Sequence, residues 1–558
     1  MKKQLLGTAI ASALALSVVA CDDSKNNKDD GGIVSAGDTL ALTADDSLVS
    51  FNRAAPATVL STRKITGLGS GESLVGMDFR PSNGKLYGLT KVAVYEIDPI
   101  TAVAGNRVAL ASTLSGSDFG VDFNPVVDRL RVINDLKQSL IVDVETRDAF
   151  TAGNVTTQAN VGTPSAPDAS FTVTAAAYTN SITKPVSTRL YDIDTQGDRL
   201  FVQNATAADS SLSAPVGLGV DATAANGFDI DGGNNAGYAA LTVAGKTGLY
   251  QINLAATTSP AATLIGDIGT GTLALKGLAL KPTTTTAYAL TGDGKLLPFD
   301  PVLPGDAMAS DALTISGLNS GETVLGIDFR PKDGKLYGIT SAARLVTVNT
   351  TTGAATVGKS LGLALPLTTG TAPATTPVRY TVDFNPAADR LRVISSTGLN
   401  LRIDVDNGIT SIDGMLNSTA PELAGFRIIG GAYTNNFAGT TGTALFDIDV
   451  TNKAFALQAP PNNGTLVFRG TLEQGVPAAP ATFDSATLDI VGGANGLPLL
   501  SLSNADGASS LYTFTLPSSD TAVVATSVAL NAYPAAGRNQ VGPSASPIVI
   551  RDIALALE

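Results

Sequence analysis

The sequence contains no histidine and no tryptophan, and it has one cysteine, Cys21, in 558 residues. Without histidine there is no Ser-His-Asp or Cys-His nucleophile and no histidine-based zinc site. One cysteine excludes an intrachain disulfide framework. With no Cys or His cluster, no transition metal and no cofactor is expected. Aromatic residues make up 5% of the chain, so small aliphatic side chains must do most of the packing. Basic residues are outnumbered, 36 against 49 acidic, for a formal net charge of −13. Such a surface repels phosphate backbones, so no nucleic-acid partner is expected. Beyond the N-terminal apolar run, no segment shows a long helical period with caps.

The surroundings of Cys21 account for it. Lys2 and Lys3 precede "LLGTAIASALALSVVA", an apolar run too short for a comfortable membrane span. "VVAC" sets a small residue before the cysteine and resembles the lipobox of bacterial lipoproteins, in which that cysteine is lipidated and becomes the mature N-terminus. Residues 1–20 are therefore expected to be a signal peptide and Cys21 the lipidation site. The membrane is then a partner through the anchor, and the protein belongs in the cell envelope, on the periplasmic or cell-surface side. Residues 21–38, with "DDSKNNKDDGG" from Asp22, read as a flexible tether.

The rest of the chain is written twice. "VDFNPVVDRLRV" from Val121 returns as "VDFNPAADRLRV" from Val382. "ITGLGSGESLVGMDFRPSNGKLYGLT" from Ile65 returns as "ISGLNSGETVLGIDFRPKDGKLYGIT" from Ile315. "AAYTNS" from Ala176 and "LYDIDTQGDRLFVQ" from Leu190 return as "GAYTNN" from Gly431 and "LFDIDVTNKAFALQ" from Leu445. A tandem duplication follows, with copy one at 39–284 and copy two at 285–558.

Each copy has a finer period. "GMDFRP", "GVDFNP", "AAAYTN", "GFDIDG" and "GLALKP" each alternate apolar with other residues and then break at Pro, Asn or Gly, which is strand followed by turn. A second and third short run follow each, and a weaker fourth closes the unit. Four short strands in about fifty residues mark a propeller blade, a unit that only a neighbouring unit can cover. The fold class expected is all-β, two tandem β-propellers of about five four-stranded blades each. The chain ends support a split blade. "LALTADDSLVSFN" from Leu40 matches the second and third strands of a unit, and "IRDIALAL" from Ile550 matches a first strand. Two closures fit. Either 275–281 completes the blade begun at 39–67, giving two rings with "PTTTT" from Pro282 as the linker, or 550–557 does, giving one ten-bladed propeller.

"DFRPxxGKLYGLT", "DFNPxxDRLRV", "AYTN" and "LYDID", in this order and twice, resemble the bacterial family known as domain of unknown function 4394. The resemblance implies a propeller-like fold and an extracytoplasmic setting, and no established activity. Copy two departs from copy one late, where "FDIDGGNNAGYAAL" becomes "LDIVGGANGLPLL".

Two local motifs are decoys. "AGKTGLY" from Ala244 lacks the upstream glycine of a phosphate loop. "DIDTQGDRLFVQ" from Asp192 has Gln203 where a calcium loop needs a bidentate Glu. One constellation survives. One column of the five inner strands reads Asp78, Asp122, Ala177, Asp229, Ala279 in copy one and Asp328, Asp383, Ala432, Asp489, Ala554 in copy two. Around an axis these form a ring of three carboxylates, which repel one another and need donors, a cation or protons. Two residues further on, Arg80 and Lys281 in copy one and Arg330 in copy two are candidates for neutralising part of the acid. Three readings remain: hydrogen bonds to the neighbouring strand, a channel-mouth ligand or cation site, or catalysis. The function expected is a non-enzymatic binding or scaffolding module for a protein or glycan ligand, with no catalytic residue assigned. The alternative is a carboxylate-dependent glycan hydrolase, which would need two accessible Asp side chains.

Overall fold

The computed structural model describes residues 37–144, 155–157, 171–204, 211–370, 376–475, 479–493, 496–504, 507–520, 527–534 and 539–557. The expected signal peptide, Cys21 and the tether up to residue 36 lie outside them. Gly37 and Asp38, expected as the end of the tether, are already tied down. The Gly37 amide donates to Ser50 Oγ at 2.7 Å and the Arg53 amide to Asp38 Oδ1 at 2.9 Å.

The described residues form nine four-stranded sheets, one six-stranded sheet and a two-stranded ribbon. The helices among them are four single 3-10 turns, at Pro304–Asp306, Ala309–Asp311, Pro421–Leu423 and Pro461–Asn463. No helix among the described residues is long and apolar enough to cross a membrane. Alternating short runs separated by Gly, Asn and Asp turns produce antiparallel strands here, as period-two patterning requires. In copy one the first strands of successive sheets are Leu74–Phe79, Phe119–Asn124, Val173–Tyr178, Ala222–Ile230 and Leu275–Leu280. Each touches the next in that order, and the fifth touches the first. Copy two repeats the cycle with Val324–Phe329, Tyr380–Asn385, Ile428–Tyr433, Ser485–Val491 and Ile550–Leu557.

The chain ends pair within their own copies. Leu275–Leu280 runs antiparallel to Thr39–Thr43, with Leu278 opposite Ala41. Ile550–Leu557 runs antiparallel to Thr285–Thr291, with Ala554 opposite Tyr288. The C-terminal strand therefore does not join the 39–67 segment, as a single ten-membered ring requires. Thr285 and Thr286 pair with Leu557 and Ala556, so the expected linker "PTTTT" shrinks to 282–284.

Burial falls from first strand to fourth. Val173–Tyr178 is buried at every position, whereas Val59–Lys64 is mostly exposed. A first strand is covered on both faces by neighbouring sheets, while a fourth strand forms an edge. Scarce aromatics are placed between sheets. Tyr87 meets Phe123 edge to face at 5.3 Å, and Tyr337 meets Phe384 at 5.4 Å. The repeated phrase is thus a first strand, a turn and a second strand. Asn124 Oδ1 accepts from the amides of Val126 and Val127, and Asp128 closes the turn in the left-handed region at φ 57°. Asp389 does the same in copy two at φ 52°. Copy two also departs in its third sheet, where Leu466–Gln474 gains an antiparallel partner in Ala479–Pro480 and a parallel one in Ser527–Ala529.

Candidate functional site: the two acidic layers

Because first strands converge edge to edge without forming a ladder with one another, each brings an unanswered backbone amide to the meeting line. Buried amides must find acceptors. The acid column supplies them. Asp78 Oδ2 accepts from the Phe123 amide at 2.7 Å, one strand along, and the Asp78 carboxylate also accepts from Phe79. Asp122 Oδ1 accepts from Tyr178 at 3.2 Å. Asp229 Oδ2 accepts from Leu280 at 2.7 Å and Oδ1 from Ile230 at 2.6 Å. One amide from each of the five strands is answered by three carboxylates. Ala177 and Ala279 stand where an acid is not needed, because the next strand's amide is taken by that strand's own Asp.

Copy two repeats the scheme. Asp328 accepts from Phe384 at 2.6 Å and Phe329 at 2.7 Å, Asp383 from Tyr433 at 2.9 Å, and Asp489 from Leu555 and Ile490 at 2.6 Å each. All six side chains are buried, none more than 3% exposed. In each copy, one oxygen from each of the three residues lies within 4.8 Å of the other two. Burial first, and the neighbouring carboxylates second, push Asp78, Asp122, Asp328 and Asp383 well above the usual carboxylate range. Asp229 and Asp489 rise to about 7, mainly through burial. The groups therefore hold protons in a range where surface carboxylates have lost them. A calcium cage needs about six to eight oxygen ligands, and in copy two five of the six carboxylate oxygens already accept from amides.

Arg80, Arg330 and Lys281 are not turned to this acid. Arg80 forks onto Asp128, the turn residue of the next sheet, at 2.8 Å and 2.5 Å. Arg330 forks onto both Asp389 and Asp406 at 2.7–2.8 Å. Lys281 is exposed. The two arginines bind sheet to sheet at the strand ends, and the acid layers are balanced by amides and protons instead.

Asp552 is a buried carboxylate that the sequence reading missed. It stands two residues before Ala554, in the column that reads Gly76, Gly120, Ala175, Gly227, Gly277 in copy one and Gly326, Thr381, Gly430, Thr487, Asp552 in copy two. Its Oδ1 accepts from Thr487 Oγ1 at 2.6 Å and its Oδ2 from the Ile327 amide at 2.9 Å, and burial raises it to about 7. In copy one the strands close on the glycines. A Cβ at Gly120 would stand 2.6 Å from the Ala176 amide nitrogen. Reading the same strand face backwards as well as forwards reveals Asp552. The decoy at Asp192 is a turn: Asp194 accepts from the amides of Thr172 and Gln196 and from Arg199. Asp192 itself, and Asp447 in copy two, are buried without hydrogen-bond partners among the described residues. Burial lifts both, Asp447 to about 8, although Arg131 and Arg392 pull the other way.

Among solved structures, the chain is similar to a protein from Lactobacillus plantarum at 14% identity, over 67% of this chain and 94% of that one, with a TM-score of 0.24. It is also similar to a protein of unknown function from Bacteroides thetaiotaomicron at 12% identity, over 81% of this chain and 99% of that one, with a TM-score of 0.26. No curated protein matches. The family model described as "Domain of unknown function (DUF4394)" matches residues 47–279 and again 295–531, so the chain belongs to that family and carries it in two tandem copies.

Proposed function

We propose that the chain is a lipid-anchored, extracytoplasmic binding or scaffolding module made of two five-bladed β-propellers, 39–284 and 285–558, and that it is not an enzyme. Two closed cycles of five touching first strands, each completed by a strand from the far end of its own copy, support the propeller reading. One observation carries the non-enzymatic reading: in each copy, three buried carboxylates have their oxygens directed at five backbone amides. A glycosidase needs an acid and a second carboxylate that both reach substrate. These carboxylates are occluded and fasten adjacent strands together. The anchor at Cys21 rests on the sequence and places the module at a membrane surface, where a rigid body on a tether displays a binding face. An oligosaccharide hydrolysis screen on wild type and Asp122→Asn tests this. No turnover by either is expected, and turnover that the substitution abolishes would restore the hydrolase.

A further inference from the structure

A large open cleft lies between the two copies, away from the acid layers. Its volume is about 840 Å³, inside the range of about 300–1,000 Å³ typical of small-ligand sites. One wall comes from the third and fourth sheets of the copy-one cycle, with Arg189, Asn234, Gln251 and Thr263. The other comes from the Asn435–Gly442 turn of copy two, with Phe437 and Thr441. A second space of about 350 Å³ continues from it, since Asn234 and Phe437 line both.

The lining is chemically selective. In a chain with 49 acidic residues, no Asp or Glu lines the larger space among the described residues. Amide and hydroxyl side chains predominate, offering paired donors and acceptors. Arg189 is the one charged residue there, it is exposed, and its guanidinium has no carboxylate partner among the described residues. A fork of donors without an acid suits a carboxylate ligand bound bidentately. The half-buried Phe437 supplies an apolar face of the kind on which a sugar ring rests. In the adjoining space Asn436 is 92% buried and its Oδ1 has no donor among the described residues.

We propose that this cleft binds an oligosaccharide that carries a carboxylate, a uronic-acid glycan, with Arg189 on the carboxylate and the amide-lined walls on the hydroxyls. The assignment rests on the reading of the chain as a binding module. The chain's net negative charge is screened beyond about 8–10 Å at physiological salt, so the local fork decides the contact.

The test is titration calorimetry on the full chain. The probes are trigalacturonate, trimannuronate and a glucuronate-containing trisaccharide, each beside its carboxyl-reduced neutral counterpart. At least one acidic probe should bind saturably and without cleavage. Arg189→Gln should weaken it about tenfold or more, the worth of a charge-assisted hydrogen bond, and carboxyl reduction should weaken it comparably. Gln251→Ala, at an exposed strand position, should weaken acidic and neutral probes alike. Unchanged melting temperatures would show both variants folded. No binding by any acidic probe overturns the assignment and leaves the scaffold reading standing. Binding indifferent to both substitutions also overturns it. Binding followed by cleavage keeps the cleft and overturns the non-enzymatic reading instead.

Discussion

The amide count within an acid layer makes a graded prediction. Among the described residues, Asp229 answers two backbone amides, those of Ile230 and Leu280, whereas Asp122 answers only that of Tyr178. All three amides sit on strands that are buried at these positions. An orphaned buried donor costs about 1–3 kcal/mol. Asp122→Ala should therefore cost about 1–3 kcal/mol and Asp229→Ala about twice that. Either substitution also removes one carboxylate from the crowded trio, so relief of repulsion offsets part of both costs. The difference between the two variants, about 1–3 kcal/mol, isolates the second amide. Copy two supplies an independent replicate, because Asp489 answers Ile490 and Leu555 while Asp383 answers Tyr433. Urea unfolding at pH 5, with unchanged slopes as the control for two-state comparison, measures all four variants. If Asp122→Ala equals or exceeds Asp229→Ala, the carboxylates are not held there to satisfy strand amides.

Three further outcomes are expected. Asp229 and Asp489 have carboxyls raised from 3.8 to about 7. A raised folded-state value gives stability that is complete below about pH 4 and is lost as pH climbs through about 7. Glu322 and Asp406, lowered to about 2 by Arg344 and Arg330, act in the opposite sense and only at lower pH. Melting temperature should thus fall between pH 5 and pH 8, by several degrees at least, and Asp122→Asn should flatten the fall; a rise across that window would refute the buried-acid account. Residues 37–284 contain their own closing strand and should be soluble and melt cooperatively in isolation, whereas aggregation would show that copy one needs copy two to cover an edge. Cys21→Ser should release the protein from membranes or block its processing, and a processed mutant that still sediments with membranes would refute the anchor.

The strand pattern was legible because period two survives in short runs bounded by Gly, Asn and Pro. The repeated phrase made Asp128 and Asp389 visible as turn residues, and both adopt the left-handed backbone that Asp tolerates. The acid column was legible for the same reason: equal spacing from the turn puts residues at one height. Their partners were not, since which amide a carboxylate meets depends on which strand is its neighbour in the cycle. Arg80 misled because a column position gives height along a strand and not direction. At the strand end the next sheet's turn, with Asp128, lies closer than the axis. "PTTTT" looked like a linker by composition, yet Thr is β-branched and suits a strand once the C-terminal segment offers a partner. The cleft could not be read at all. Its walls come from residues 189–263 and 435–442, and no local pattern marks residues that meet only when two copies pack.

The two copies have kept one layer of their axes and rewritten the layer beside it, and the accounting of polar groups explains the difference. The acid layer answers five amides with three carboxylates, so every single replacement of one of these acids orphans at least one donor. The layer two residues earlier has no such debt in copy one. There Gly120 and Gly227 let neighbouring backbone approach closely, Gly227 at φ 139° with no room for a side chain, and Gly76 and Gly277 make room for the side chains of Val121 and Leu42. Copy two fills the same space with polar groups that satisfy one another. Thr487 donates to Asp552, Asp552 accepts from Ile327, and Thr381 both accepts from the Gly431 amide and donates to its carbonyl. Either filling is self-consistent, and mixtures are not. A threonine placed at Gly120 alone would meet the Ala176 backbone, and an aspartate at Gly277 alone would face Gly227 where copy two offers the Thr487 hydroxyl. Drift in that layer therefore has to proceed by sets of residues, while in the acid layer the loss of any one carboxylate already leaves a buried donor unanswered.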